Sequence, residues 1–60
     1  MINIYFENLS PQEARELFDA FSRKGYVSSV ECNLNAHSSS VRLEGYDRFT
    51  FLTDLAEHFL

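Results

Sequence analysis

The sequence has few of the residues that cross-link a chain or build a phosphate-binding loop. Its 60 residues include one cysteine, one proline, two glycines and no tryptophan. The single cysteine, Cys32, excludes an internal disulfide and agrees with a reducing compartment. Two isolated glycines cannot form a glycine-rich phosphate cradle. We therefore expect a cytoplasmic protein that has neither a disulfide framework nor a nucleotide-binding loop.

Positive charge and long apolar runs are also scarce. Nine acidic residues outnumber five basic ones, and the formal net charge is −4. Phosphate backbones are bound by clustered basic residues, and Arg23 and Lys24 form the only adjacent basic pair. No apolar run approaches the roughly 20 residues of a membrane span, and the N-terminal residues lack the basic region and apolar core of a signal peptide. We expect no direct nucleic-acid partner and no membrane, and a protein partner with a basic surface.

Apolar and aromatic side chains, by contrast, are plentiful. Hydrophobic residues make up 45% of the chain, including six Phe and three Tyr. A chain this short buries only about 60% of the surface that it exposes when unfolded, and association often completes so small a core. We expect one domain spanning residues 1–60, a complete small protein that forms a homodimer.

The segment after Leu9 predicts the start of a helix. Ser10 is a typical N-cap, Pro11 suits the first helical position, and Glu13 can close a capping box. The helix should end near Lys24, just before Gly25. Its apolar face has helical spacing and consists of Ala14, Leu17, Phe18 and Phe21.

Alternating apolar and polar residues predict three strands, at residues 2–8, 26–34 and from Ser39 to about residue 44. The polar residues 35–38 should form the turn between the second and third strands. Val27 is expected on the outer side of the second strand, and Glu31 could pair with Arg42 across the hairpin. The expected inward residues of the three strands are Ile2, Ile4 and Phe6; Tyr26, Val30, Cys32 and Leu34; and Val41 and Leu43.

A second helix should follow the break at Gly45. Asp47 is the favoured cap and Thr50 the alternative. Phe51 is expected at the margin of the buried face. The stripe predicted to face the core consists of Phe49, Leu52, Leu55, Ala56 and Phe59.

The predicted fold is thus α+β, with the order β-α-β-β-α. Both helices should cover one face of a three-stranded antiparallel sheet in the order 1-3-2, a split-βαβ or ferredoxin-like half. The alternative order, 1-2-3, makes the first two strands parallel neighbours. The element order resembles that of small acidic regulators of DNA-repair filaments, but topology alone carries no function.

In the 1-3-2 order the first strand is an edge, and it lacks Lys, Pro and any evident bulge that would protect it. This edge is expected to pair with its copy in a homodimer. The predicted dimer residues are Ile2, Asn3, Ile4, Tyr5 and Phe6.

No residue pattern in the chain indicates catalysis or a cofactor. Cys32, His37 and His58 lack the close spacing of a zinc site, and the serines at 38–40 lack a nucleophile motif and a positioned base. We expect no enzyme activity, no catalytic residue, no metal and no cofactor.

The function expected from these features is that of a small acidic regulator or inhibitor, of bacterial or phage type, that binds another protein. Two alternatives stay open: a structural subunit of a larger assembly, and an acidic mimic of nucleic acid that blocks a DNA- or RNA-binding protein. The partner is expected to contact an acidic helix face made of Glu13, Glu16, Asp19, Asp54 and Glu57.

Overall fold

A computed structural model of the chain describes residues 1–60. It contains the strands β1 (Ile2–Leu9), β2 (Val27–Asn33) and β3 (Ser39–Gly45) and the helices α1 (Pro11–Ser22) and α2 (Arg48–Phe59). The strands form one antiparallel sheet in the order β1-β3-β2. The α+β prediction and the 1-3-2 order are therefore confirmed. Neither helix is long and apolar enough to cross a membrane.

Helix α1 begins as the sequence predicts. The Ser10 hydroxyl accepts a hydrogen bond from the backbone N–H of Glu13 at 3.1 Å, and the Glu13 carboxylate accepts one from the Ser10 N–H at 2.9 Å. These bonds satisfy two N–H groups that a helix start leaves free. The helix ends at Ser22, two residues before the predicted end, and Gly25 does not adopt a left-handed conformation.

Both edge strands contain irregularities that the alternation did not reveal. In β1 the pairing shifts between Phe6 and Leu9, and Asn8 has a φ of 60°. The Ser38 hydroxyl holds this bend through hydrogen bonds to the backbone and side chain of Asn8, both 3.1 Å long. The prediction of an edge without a bulge was therefore wrong.

A second shift lies in β2, where Val27 pairs with Gly45 and Ser29 pairs with Glu44. Side chains in a strand alternate between the two faces of the sheet with a period of two. The extra residue, Ser28, therefore turns the side chain of the preceding residue to the opposite face of the sheet. Val27 therefore packs against the core, and its predicted outward position was wrong.

The core lies between one face of the sheet and both helices. Its centre is formed by Ala14, Leu17, Phe21, Val41, Leu43, Phe51 and Leu55. The inward residues of β1, namely Ile2, Ile4 and Phe6, are partly buried against this cluster. Sheet and helices thus form two layers, and the other face of the sheet is uncovered.

The rotation of α2 differs from the predicted one. Asp47 caps the helix as expected, in a left-handed conformation, and its carboxylate accepts hydrogen bonds from the backbone and side chain of Thr50. The first helical turn then carries Phe51 over Gly45, where the ring is fully buried, while Leu52 is 52% exposed. The predicted stripe was therefore wrong at all of its positions except Leu55, since Phe49, Leu52, Ala56 and Phe59 are exposed.

Candidate interaction surfaces

A polar cluster joins the loop between α1 and β2 to the middle of α2. Asp54 accepts a 2.6 Å hydrogen bond from the Tyr26 hydroxyl and lies 3.3 Å from the Lys24 ammonium. The Tyr26 bond, followed by Lys24, lowers the pKa of Asp54. Burial, followed by the Asp54 bond, raises the pKa of Tyr26. Asp54, which was predicted to lie on the acidic helix face, therefore also connects α2 to Lys24 and Tyr26.

The other predicted acidic residues fall into two groups. Glu13 belongs to the capping box, and the hydrogen bonds from Ser10 lower its pKa. Glu16 accepts a 3.1 Å hydrogen bond from the Gln12 side chain but, like Asp19 and Glu57, it is exposed and forms no salt bridge. Glu16 and Asp19 lie one turn apart on α1, while Glu57 borders a cleft between the helices beside His58.

The predicted dimer strand, β1, is an edge of the sheet. From Ile2 to Phe6 it pairs regularly with β3 on one side and has no neighbouring strand on the other. Ile2, Ile4 and Phe6 face the core, and Asn3 and Tyr5 face away from it. The bend at Asn8 confines the regular part of the free edge to these five residues.

The uncovered face of the sheet is polar. Arg42 lies at its centre, with Tyr5 on one side in the register and Glu31 on the other. The Arg42 guanidinium lies 5.5 Å from the centre of the Tyr5 ring, and it forms no salt bridge with Glu31. The predicted ion pair is thus replaced by a cation–π contact, which is compatible with a face that stays in water.

A groove runs between α1 and the free edge strand β2. Phe18 separates a larger cavity of about 340 Å³ from a smaller one of about 130 Å³. The larger cavity is lined by Arg15, Phe18, Asp19, Cys32 and Leu34, and the smaller one by Phe18, Ser22, Val27, Ser28, Ser29 and Val30. We call these two cavities the α1–β2 groove. The larger cavity is mainly apolar, with Arg15 and Asp19 among its lining residues, and the smaller one is lined by as many serines as apolar residues.

Sequence reasoning missed the groove because it placed Phe18 and Leu34 in the core. Phe18 is 37% exposed and Leu34 is 48% exposed. Strand β2 ends at Asn33, so Leu34 is no longer held against the sheet. The Cys32 thiol, half-buried as a small apolar group, lies 3.9 Å from the Ala14 carbonyl.

A second apolar surface covers the outer side of α2. Phe49 is 81% exposed, and Leu52 and Phe59 are about half exposed. With the exposed Ala56, these residues follow the spacing i, i+3, i+7, i+10, which places them along one side of a helix. We call this set the α2 stripe. The sequence contains a hint of a second apolar face, because α2 has more apolar residues than one buried face requires, but it does not show which of them are exposed.

The residues considered for metal binding lie apart. His37 is in the turn before β3, while the His58 ring packs against Phe21 and Phe59 at centroid distances of 6.1 and 5.0 Å. No three His, Cys, Asp or Glu side chains are grouped so that they could hold a metal ion.

Comparison of the chain with protein-family models, with curated proteins and with solved structures found no match.

Proposed function

We propose that this protein is a non-enzymatic interaction module that binds an extended segment of another protein in the α1–β2 groove. The observation that carries the proposal is that a mainly apolar cavity and a smaller mixed one lie beside an unpaired strand edge. Extended peptides commonly add a strand to a free sheet edge and place alternate side chains in pockets beside it. Here the edge of β2 and the two cavities beside Phe18 run side by side.

The charges near the groove favour a basic segment. Asp19 lines the larger cavity and Glu16 lies one turn before it on α1, and neither carboxylate is paired with a cation. Arg15, which lines the same cavity, reduces the negative field locally, so the groove itself suits apolar side chains and the outer side of α1 suits flanking Lys or Arg. In this proposal Glu16 and Asp19 are the residues of the predicted acidic helix face that contact the basic residues of the bound segment.

The proposal includes a cytoplasmic regulator or inhibitor as the biological role. Occupying a partner's extended segment blocks whatever that segment binds next, and this requires no chemistry from the module. Salt should weaken the complex moderately, because exposed charge pairs are screened while apolar contacts in the groove are not.

Selection of binding peptides tests the proposal directly. The purified protein would be presented with a random peptide library, and the selected peptides would be titrated into isotopically labelled protein and followed by NMR. We expect peptides with alternating apolar residues and flanking basic residues, and the largest amide shifts in β2 and around Phe18. Selected peptides that shift mainly other parts of the molecule, or a library that yields no binder, would contradict the proposal.

Matched variants distinguish specific peptide binding in the groove from nonspecific binding to exposed apolar residues. Phe18→Asp should weaken peptide binding at least about tenfold, because it removes the apolar divider of the groove. Tyr46→Asp, which alters an exposed aromatic residue in the β3–α2 loop, should leave binding unchanged. Reversing Glu16 and Asp19 to Lys should weaken binding to basic peptides and reduce its salt dependence.

A further inference from the structure

We infer that the α2 stripe is the contact surface for a second copy of this chain, packed antiparallel about a two-fold axis level with residue 54. This inference goes beyond the proposed function, because it uses the opposite side of the molecule from the α1–β2 groove. It concerns a surface that the predicted buried stripe had assigned to the core.

The spacing of the stripe argues for a second copy. Phe49 and Phe59 each lie five residues from position 54, and Leu52 and Ala56 each lie two residues from it. A two-fold axis at that level therefore brings Phe49 of one chain level with Phe59 of the other, and Leu52 level with Ala56. Since a helix rises 1.5 Å per residue, these levels are about 7.5 and 3 Å from the axis.

The side chains at these levels are complementary in size. Near the axis the small Ala56 lies opposite the larger Leu52, so the helices can approach closely and interdigitate. Farther out, aromatic residues meet aromatic residues. The antiparallel arrangement also places the N-terminus of each α2 beside the C-terminus of the other, which is the favourable alignment of helix dipoles.

The stripe adjoins the free edge of β1. The Phe59 ring lies 5.6 Å from the Phe6 ring of β1, centroid to centroid, and Leu52 lies two turns before Phe59 on the same side of α2. An axis that pairs the α2 helices therefore also brings the two β1 strands together antiparallel. The predicted edge residues Ile2–Phe6 and the α2 stripe thus form one continuous surface.

The areas fit a joint contact better than either part alone. From the usual areas of Phe and Leu side chains, the exposed stripe offers roughly 400 Å² per chain, against a total accessible surface of 4164 Å². Stable interfaces bury about 800 Å² per partner. The stripe supplies about half of that area, and the neighbouring β1 edge supplies further area and unpaired backbone groups.

Sedimentation equilibrium over a wide range of protein concentrations is the first test. We expect a reversible monomer–dimer equilibrium. Leu52→Lys should raise the dimer dissociation constant roughly 100-fold, because the two-fold axis places the change twice in the interface. Tyr46→Lys, the same type of change at an exposed aromatic residue outside the stripe, should leave the constant within a factor of about three. Circular dichroism checks that both variants stay folded.

Disulfide trapping tests the two-fold register. In a Cys32→Ser background, Leu52→Cys mixed with Ala56→Cys should give the mixed disulfide on mild oxidation, and Leu52→Cys alone should not, because a disulfide needs Cα atoms within about 7 Å. A protein that stays monomeric at every concentration would overturn the inference and leave the stripe to a different protein. A dimer unaffected by Leu52→Lys, or one cross-linked through position 52 of both chains, would also overturn it.

Discussion

The two helices have the same length, yet their apolar residues are distributed differently. In α1 the buried residues Ala14, Leu17 and Phe21 form one narrow face, and most other positions are polar. In α2 the buried residues are Phe51 and Leu55, and a second apolar face, the α2 stripe, lies beside them and is largely exposed. Periodicity identifies the buried face of a helix only when the chain has one apolar face to offer.

The difference between the helices also has a functional meaning. A helix with a single apolar face can bury that face within its own chain. Additional exposed apolar area on a small protein is typical of a surface that contacts another molecule. Helix α1 contributes one margin of its face, Phe18, to the α1–β2 groove, while α2 presents a whole second face. The two proposed contacts therefore lie on opposite sides of the molecule and can be occupied together.

The largest effect is expected when one phenylalanine on each apolar face of α2 is replaced by alanine. Phe51→Ala should cost about 3–5 kcal/mol of unfolding free energy, because the ring is fully buried between Phe21, Tyr26 and Gly45. Phe49→Ala should change it by less than about 0.5 kcal/mol. Urea unfolding at a protein concentration that keeps the chain monomeric measures both. Equal losses of unfolding free energy in the two variants would contradict the rotation of α2 about its own axis that is described above.

A smaller effect is expected at the glycine beneath Phe51. A Cβ added to Gly45 would collide with the Tyr26 carbonyl and lie 2.8 Å from the Phe51 ring. Gly45→Ala should therefore destabilise the protein by about 1–3 kcal/mol through overpacking. Gly25→Ala is the matched control, since nothing lies within 4 Å of its added Cβ. That change should be neutral or stabilising, because alanine restricts the unfolded chain. Thermal unfolding followed by circular dichroism compares the two variants.

The smallest effect concerns the acid dependence of the link between α2 and the loop that joins α1 to β2. Tyr26 and then Lys24 hold the pKa of Asp54 below its ordinary value of 3.8. A lowered pKa means that the carboxylate stabilises the fold above pH 3.8, and that this stabilisation is lost as the pH falls through the folded-state pKa. Asp54→Asn should therefore make stability decline less steeply below about pH 4.

Urea unfolding at a series of acidic pH values measures this decline. The comparison variant is Glu7→Gln, which removes an exposed carboxylate that has no cationic partner. The stability of this variant should decline below about pH 4 as steeply as that of the parent protein. If Asp54→Asn and the parent protein followed the same pH profile, the Tyr26–Asp54–Lys24 cluster would not contribute to the stability of the fold.

Much of the fold was predictable because its signals are local. The capping box at Ser10 and Glu13, the Asp47 cap and the alternation in the strands depend on neighbouring residues. Handedness and the single apolar face of each strand placed both helices on one side of the sheet, but they left two strand orders open, of which the favoured 1-3-2 is the one observed. The bulges were not predictable in this way, because Asn8 is held by Ser38, thirty residues away in the chain.

The candidate sites were predictable only in part. The edge position of β1 followed from the strand order, and the exposure of Glu16 and Asp19 followed from the polar side of α1. The α1–β2 groove did not follow, because it depends on where β2 ends and on how far Phe18 projects past the sheet. The α2 stripe did not follow either, because its residues are chemically indistinguishable from core residues.

Capping and periodicity therefore suffice to predict which segments are helices and strands and where each helix starts, because they depend on neighbouring residues. They leave two strand orders, 1-3-2 and 1-2-3, and the structure selects the first. Contacts between distant parts of the chain set the rotation of α2, the direction of the Val27 side chain and the division of apolar residues between core and surface. These depend on close packing around Gly45 and on the bulges at Asn8 and Ser28, where distant parts of the chain compete for the same space.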